Sequence, residues 1–391
     1  MIRSCSTVTR TRAGAIWLLL TLTVAATGCA TGKHHSSAAT KPAAPSARDV
    51  VHAQPGSSLQ KTIDAAPRSA TIVLAAGVYT GNITISKPLT LEAAHGVVLT
   101  PGPSVEPNGC TRDAKAHGSN AVTGICIESP AAEQATSPPT QLSDVSITGL
   151  TIDGFSDAGI FAAYTSKLRL ADLSVRANGQ YGVIVDNSRD ADLTHSTITS
   201  NHGGGIHLVQ DDDVTLTHNT STGNVGEGAI LADSSQITID GNQLSDNCAG
   251  LVFVNTGAPG LAGPARITDN TIRHNNRSCP STPPSGDEAG RPISEHGIGI
   301  ALGGTTGVTA TLNTVTDNDG PAAGPAGRPA LAGGLILISS AGFGGSTPTH
   351  NVLRDNKLSG NAPVDILTDH SGSANQISSN TCQRTNTSGS C

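Results

Sequence analysis

Aromatic side chains are nearly absent. The 391 residues include four Phe, three Tyr and one Trp, 2% of the chain. Flat platforms for stacking sugar rings or bases are therefore few. Charge is also scarce, at 14% Asp, Glu, Lys and Arg, with a formal net charge of −7. No stripe of Lys and Arg occurs, which excludes a basic nucleic-acid binder. Only one long apolar run is present, so a multi-span membrane protein is excluded. Helix-favouring Glu, Lys, Gln and Met are sparse, with a single Met. Apolar content, at 36%, is low for a compact globule. What abounds is Thr, Ser, Asn, Val, Ile and Gly, the last with 45 copies. That mixture suits many short strands joined by tight turns.

The first residues read as an address. Arg3, Arg10 and Arg12 precede an apolar run from Ala13 to Thr27. At about fifteen residues it is short for a membrane span and right for a signal sequence. It ends in Ala26-Thr27-Gly28-Cys29. Small residues before a Cys resemble a bacterial lipobox. The resemblance implies a lipoprotein signal peptide over residues 1–28 and a lipid on Cys29. The mature protein is then exported and anchored to the outer face of the cell membrane, with a net charge of about −10 once three Arg are removed. Residues 29–49 are rich in Ala, Ser, Thr and Pro and read as a flexible tether, with a reach of roughly 25 Å. His34 and His35 within it read as solvated linker.

Cys5 leaves with the signal and Cys29 carries the lipid. Six cysteines remain: Cys110, Cys126, Cys248, Cys279, Cys382 and Cys391. An even number in an exported chain implies disulfides. Proximity along the chain favours Cys110–Cys126, Cys248–Cys279 and Cys382–Cys391 among the possible pairings.

A repeat organises the remainder. Segments starting at Val145, Leu168, Ala191, Val214 and Ile237 align without gaps at a spacing of 23. In this frame columns 1 and 3 are apolar, column 8 is mostly apolar, and columns 16 and 18 are apolar again. Alternation of period two marks strands with one buried face. Three short strands and three bends in 23 residues describe one turn of a parallel β-helix, with equal columns stacked at about 4.8 Å. Later repeats start near Ala265, Val308, Asn351 and Asn375. Two columns are Asn-rich. Column 6 holds Asn219, Asn242, Asn270, Asn313, Asn356 and Asn380, and column 11 holds Asn178, Asn201, Asn224, Asn247, Asn275, Asn318 and Asn361. Asn tolerates left-handed backbone at a bend, and its amide can donate to the next Asn above. At the amino end, Ser57 to Pro67 carries Ser caps, Leu59 and Ile63 at helical spacing, and a terminating Pro. A short helix there covers the open end of the first coil.

The stretch from Leu59 to Pro101, with TIVLAAGVYTGNITISKPLTLEAA and the Asn-bearing units that follow, resembles the right-handed parallel β-helix repeat of the pectin-lyase-like family. The resemblance covers residues 50–391. It implies an all-β solenoid of about twelve coils with a short N-terminal capping helix. It also implies a substrate on one outward sheet face near mid-solenoid, walled by insertions. Those fall between Gly102 and Leu142, Asn276 and Ser294, and Asp319 and Ala332.

Column 17 points outward between two buried positions: Phe161, Ile184, His207, Ile230 and Phe253. This apolar stripe is expected to bind substrate or to pack beneath insertions. Tyr181, Asp186, His207 and Glu227 converge on the same face in this frame, with His202 nearby. They supply an acid and a base for proton abstraction beside a uronate carboxyl group. The Asp-Pro-His motif that mannuronan epimerases carry after Tyr-Gly is absent, because Tyr181-Gly182 leads into Val-Ile-Val-Asp186. Two metal readings also arise. Asp190 and Asp213 in column 23, with Asp211, have the oxygen chemistry of Ca²⁺, unless Lys167 and Arg189 neutralise them. Asp172, His195 and His218 in column 5 have the donor types of Zn²⁺ or Cu²⁺. The expectation is a monomeric, lipid-anchored surface protein that binds a polysaccharide and, if enzymatic, modifies it by lyase- or epimerase-type proton abstraction. A non-catalytic surface module and a metal-handling maturation factor are the rivals.

Overall fold

Three long parallel sheets wind along one axis. The computed structural model describes residues 49–116, 119–129, 140–281, 293–321 and 331–391. The signal segment, Cys29 and nearly all of the tether lie outside the described residues. Sheet A has twelve strands, from Val50–Ala53 to Gln376–Ser378. Sheet B has ten, and sheet C has ten along its main path with an eleventh, Cys279–Ser281, paired off it. Each strand pairs in parallel with its equivalent one coil away, as Leu168 does with Ala191 and Val214 beyond it. The twelve strands of sheet A match the expected coil number, and the late repeat starts hold, since Ala265 pairs with Val308. The chain is an all-β solenoid with a right-handed parallel β-helix fold.

Inside the coil, columns 1, 3, 8, 16 and 18 fill the core with aliphatic side chains such as Leu170, Val175 and Val185. Gly in column 15 is a packing requirement. A Cβ on Gly182 would sit 2.3 Å from Ile198 Cγ2 and 2.9 Å from Asn201 Nδ2. Both Asn columns form continuous ladders. Asn201 Nδ2 donates to Asn224 Oδ1 at 3.0 Å, and the Asn201 backbone N–H donates to the same oxygen at 3.0 Å. The pattern repeats to Asn361 in column 11 and to Asn380 in column 6. A third ladder fills column 21 through Thr165, Ser188, Asp211 and Ser234.

Both ends are closed. Helix Leu59–Ala65 begins at Ser58, whose hydroxyl accepts the Lys61 N–H, and buries Leu59 and Ile63. At the other end Asn380 Nδ2 donates to the Ser390 carbonyl, and the Cys382–Cys391 disulfide ties that segment back. The other two cystines are Cys110–Cys126 and Cys248–Cys279, so all three pairings follow chain proximity.

The bends require left-handed backbone at fixed columns. Column 5 is left-handed at Asp172, His195, His218 and Asp269, and column 23 at Lys167, Asp190, Asp213 and Gln236. Asp and Asn visit this region more cheaply than most residues. Leu312 occupies column 5 with φ 60° while 55% exposed. It gains no burial there and has no short polar side chain to offset the left-handed backbone by a local hydrogen bond. Leu312→Asn is expected to raise stability by about 0.5–1 kcal/mol, read as a higher urea midpoint at unchanged slope. An equal or lower midpoint would contradict this account of the bend.

Candidate functional site on sheet C

The outward face of sheet C carries the stripe expected from column 17, with one change of register. Phe161, Ile184, His207 and Ile230 are paired in sequence across adjacent strands and are half-buried. The fifth member is Val252, which pairs with Ile230. Phe253 was expected on this face, but it pairs with Leu231 and is fully buried in the core. The coil between Asn247 and Leu251 is one residue shorter than its predecessor. The signal was present in the glycine column, where Gly250 stands 22 residues after Gly228. A chain alternating apolar residues on both faces gives no period-two clue to such a slip.

Tyr181, His207 and Glu227 meet. The Tyr181 hydroxyl donates to Glu227 Oε2 at 3.1 Å across two coils. The His207 ring lies 4.8 Å from the Tyr181 ring, tilted by 35°. Tyr181 and Glu227 are both buried. Gly204 stands between them in column 14 and makes the contact possible. A Cβ there would be 2.4 Å from Tyr181 Cε1. Asp186 is half-buried in the same face, one strand from His207, and accepts from Asn187 Nδ2 at 2.7 Å. His202 lies apart, exposed on the bend between sheets B and C, with Nδ1 3.3 Å from the Asn178 carbonyl.

Loss of hydration pushes the His207 pKa down to about 4, although part of its surface stays exposed. Its imidazole is therefore neutral at pH 7, a base and a hydrogen-bonding group rather than a cation. The linkage sign follows. Between about pH 4 and about pH 6.5 the unfolded chain binds a proton that the folded chain does not, so stability falls as pH drops through that window. His207→Phe is expected to remove this contribution. A proton NMR titration of His207 checks the pKa directly, and a midpoint near 6.5 would contradict the burial argument.

The expected metal groups do not assemble. Arg169 binds Asp190 Oδ1 at 2.8 Å and Asp192 Oδ2 at 3.0 Å. Arg169 thus takes the neutralising role expected of Lys167 and Arg189. Asp211 turns inward and is 2% exposed, accepting the Ser188 and Val209 N–H groups. Burial pushes its carboxyl up, opposed by those hydrogen bonds. His195 and His218 stack in parallel at 5.2 Å on an exposed bend, and Asp172 is exposed on the same column. Left-handed backbone accounts for Asp in columns 5 and 23 without a ligand. Among the described residues no three His, Cys, Asp or Glu side chains converge on a point that holds a metal.

Insertions border this face on both sides. On the entry side, Cys279–Ser281 pairs antiparallel with the start of strand Ile293–Gly303, and Cys279 is bonded to Cys248. On the exit side, residues 255–263 pack against residues 339–346, where a Gly345 Cβ would strike Asn255 O and a Gly257 Cβ would strike Gly344 O. These exit-side loops were not expected, because the 23-residue frame absorbs them as an offset before Ala265 and Asn351.

Comparison with known proteins agrees with this architecture. The family model described as right handed beta helix region matches residues 140–315. No curated protein matches the sequence. Among solved structures, the A-module of the mannuronan C-5 epimerase AlgE6 of Azotobacter vinelandii is similar at 17% identity, over 84% of this chain and 91% of that one, with a TM-score of 0.59. The AlgE4 A-module of the same organism is similar at 17% identity, over 84% and 94%, with a TM-score of 0.52. DFA-IIIase from Arthrobacter chlorophenolicus A6 is similar at 11% identity, over 87% and 85%, with a TM-score of 0.51. At these identities the likeness concerns the fold. The chain is a right-handed parallel β-helix protein.

Proposed function

We propose that this protein binds a polysaccharide along the outward face of sheet C and modifies it by proton transfer at Tyr181, His207 and Glu227. The observation that carries the reading is the Tyr181–Glu227 hydrogen bond with His207 against the Tyr181 ring. Three groups able to exchange protons meet here, His207 in the middle of an otherwise apolar, half-open stripe and Tyr181 and Glu227 buried beside it. A buried carboxylate that holds a phenol, beside a neutral imidazole, supplies an acid and a base in one place. Lyase- or epimerase-type abstraction of a sugar ring proton is the chemistry such a pair serves, with Asp186 on the same face to orient the ligand. Support also comes from the fold, which this chain shares with mannuronan C-5 epimerase modules.

The cellular setting belongs to the same proposal. The protein is exported and held to the outer face of the membrane by lipid on Cys29. Its three cystines suit an oxidising compartment. Cys29→Ser is expected to move the protein from the membrane fraction to the soluble one. Retention in the membrane fraction would contradict it.

The function is tested with polymannuronate, polygalacturonate, α-glucan and fructan. Binding is read by calorimetry, unsaturated ends by ultraviolet absorbance, and epimerised units by product NMR. Binding with either product signal, reduced roughly 10²- to 10⁴-fold in Tyr181→Phe at unchanged fold, is the expected result. Binding without turnover would reduce the protein to a non-catalytic module, and no binding to any polymer would remove the reading.

A further inference from the structure

We propose that the open stripe on the outward face of sheet C is closed at both ends along the solenoid axis, at one end by the helix that Cys110–Cys126 pins and at the other by the apolar cluster around Cys248–Cys279. It therefore takes a short oligosaccharide or the terminus of a chain, and excludes the interior of a long polymer. This rests on the polysaccharide reading above.

The stripe is a single register of outward positions. In order it runs Cys126, Phe161, Ile184, His207, Ile230, Val252, Ala301 and Ile336. Of these, the five from Phe161 to Val252 are half-exposed in an unbroken run, and beyond the buried flanks Thr84 and Leu367 of the same column are half-exposed again. Cys126, directly beside Phe161, is fully buried and bonded to Cys110 in helix Gly109–Ala116. That helix is seated on the sheet by two further contacts. Glu128 Oε1 accepts the Gly109 N–H at 2.7 Å, and Asn108 Nδ2 donates to Thr84 Oγ1 at 3.0 Å. Thr84 pairs with Cys126, so the helix start covers the outward column where the stripe would continue.

At the opposite end Ala301 pairs with Val252 and is 4% exposed, while Ile336 next to it is fully buried. Both belong to an apolar cluster separate from the solenoid core, together with Cys248, Ala249, Cys279 and Ile298. The Cys248–Cys279 bond thus lies at the point where the stripe stops being open. Two disulfides far apart in sequence stand at the two ends of one open column. The open length between them is four strand spacings, about 19 Å. A ligand lying along the axis is bounded by these two stops, and the Tyr181–His207 pair lies between them.

The experiment is a length series. Oligosaccharides from the disaccharide upward, prepared from whichever polymer in the panel binds, are titrated against the full mature chain alongside the polymer itself. Affinity is expected to rise until the oligomer spans about 19 Å and to stay flat beyond that length. Removing a stop, in Cys248→Ser/Cys279→Ser or Cys110→Ser/Cys126→Ser, is expected to raise affinity for oligomers beyond the plateau by roughly tenfold. Affinity that keeps rising with length in the wild type would overturn the inference while leaving the polysaccharide reading intact. So would product patterns showing attack inside long chains, or a plateau unmoved in both folded double variants. If the double variants do not fold, the wild-type length series alone decides. Failure of every length to bind would instead remove the reading on which the inference rests.

Discussion

Asn224→Ala is expected to destabilise the protein by about 3–5 kcal/mol, the largest stability effect of a single substitution argued for this chain. Asn224 is fully buried at a bend of the column 11 ladder. Its Oδ1 accepts both the backbone N–H and the side-chain amide of Asn201, each at 3.0 Å. Its Nδ2 donates to Asn247 Oδ1 at 3.1 Å, to Ser221 Oγ at 3.1 Å and to the Ile198 carbonyl at 3.3 Å. Alanine removes the acceptor that serves the coil below. Each buried donor left unmatched costs about 1–3 kcal/mol. The exposed Asn276, one residue past the same ladder, is the control. Among the described residues its amide donates to the Asp317 carbonyl and its Oδ1 accepts the Asp319 N–H. Asn276→Ala is expected to cost under about 1 kcal/mol. Urea unfolding of both variants checks the difference, and equal midpoints would show that the ladder is not what fixes the bends.

Gly204→Ala is expected to abolish the activity or binding assigned to sheet C, by at least roughly a hundredfold, while leaving the solenoid folded. The added methyl would lie 2.4 Å from Tyr181 Cε1 and 2.8 Å from the Glu227 carbonyl. The carbonyl is part of a parallel ladder and does not yield, so the Tyr181 ring must. Once it moves, its hydroxyl leaves Glu227 and its face leaves His207. The steric cost alone is about 1–3 kcal/mol. A double-mutant cycle separates the two effects. In a Tyr181→Ala background the Gly204→Ala step should cost clearly less, because the ring it would strike is gone. A Gly204→Ala protein that melts and binds like the parent would mean that Tyr181 is not held where the structure puts it.

Both predictions depend on side chains stacked at a fixed interval, and that interval was legible in the sequence. Apolar positions recurring every 23 residues fix which side chains face inward. Asn recurring in two columns, from Asn219 in column 6 and from Asn178 in column 11, then has a single physical use, since a polar side chain buried at successive bends must pair with its neighbours. The helix over Leu59–Ala65 was equally legible from its caps and its two apolar residues. Cystine pairing followed from proximity because neighbouring stretches of a solenoid are neighbours in space.

Spacing alone could not give the residues between repeats their roles. Asp190, Asp213, His195 and His218 read as metal-ligand chemistry in one dimension. In three dimensions they are bend residues held in left-handed backbone, where Asp is favoured for conformation and not for charge. Asp211 in the same run turns inward because column 21 needs an acceptor for two backbone N–H groups. The loss of one residue before Leu251 sends Phe253 into the core and Val252 to the surface, a slip that the Gly228–Gly250 spacing hints at and strand pairing fixes. Column position made Tyr181 and Glu227 candidates, yet their contact depends on Gly204 leaving space for a ring to cross an intervening coil. A repeating sequence determines the cylinder because its interactions are the same in every turn. The site was decided by the tertiary structure, because it is built from departures from that repeat: a missing side chain, a deleted residue, and insertions pinned over one face.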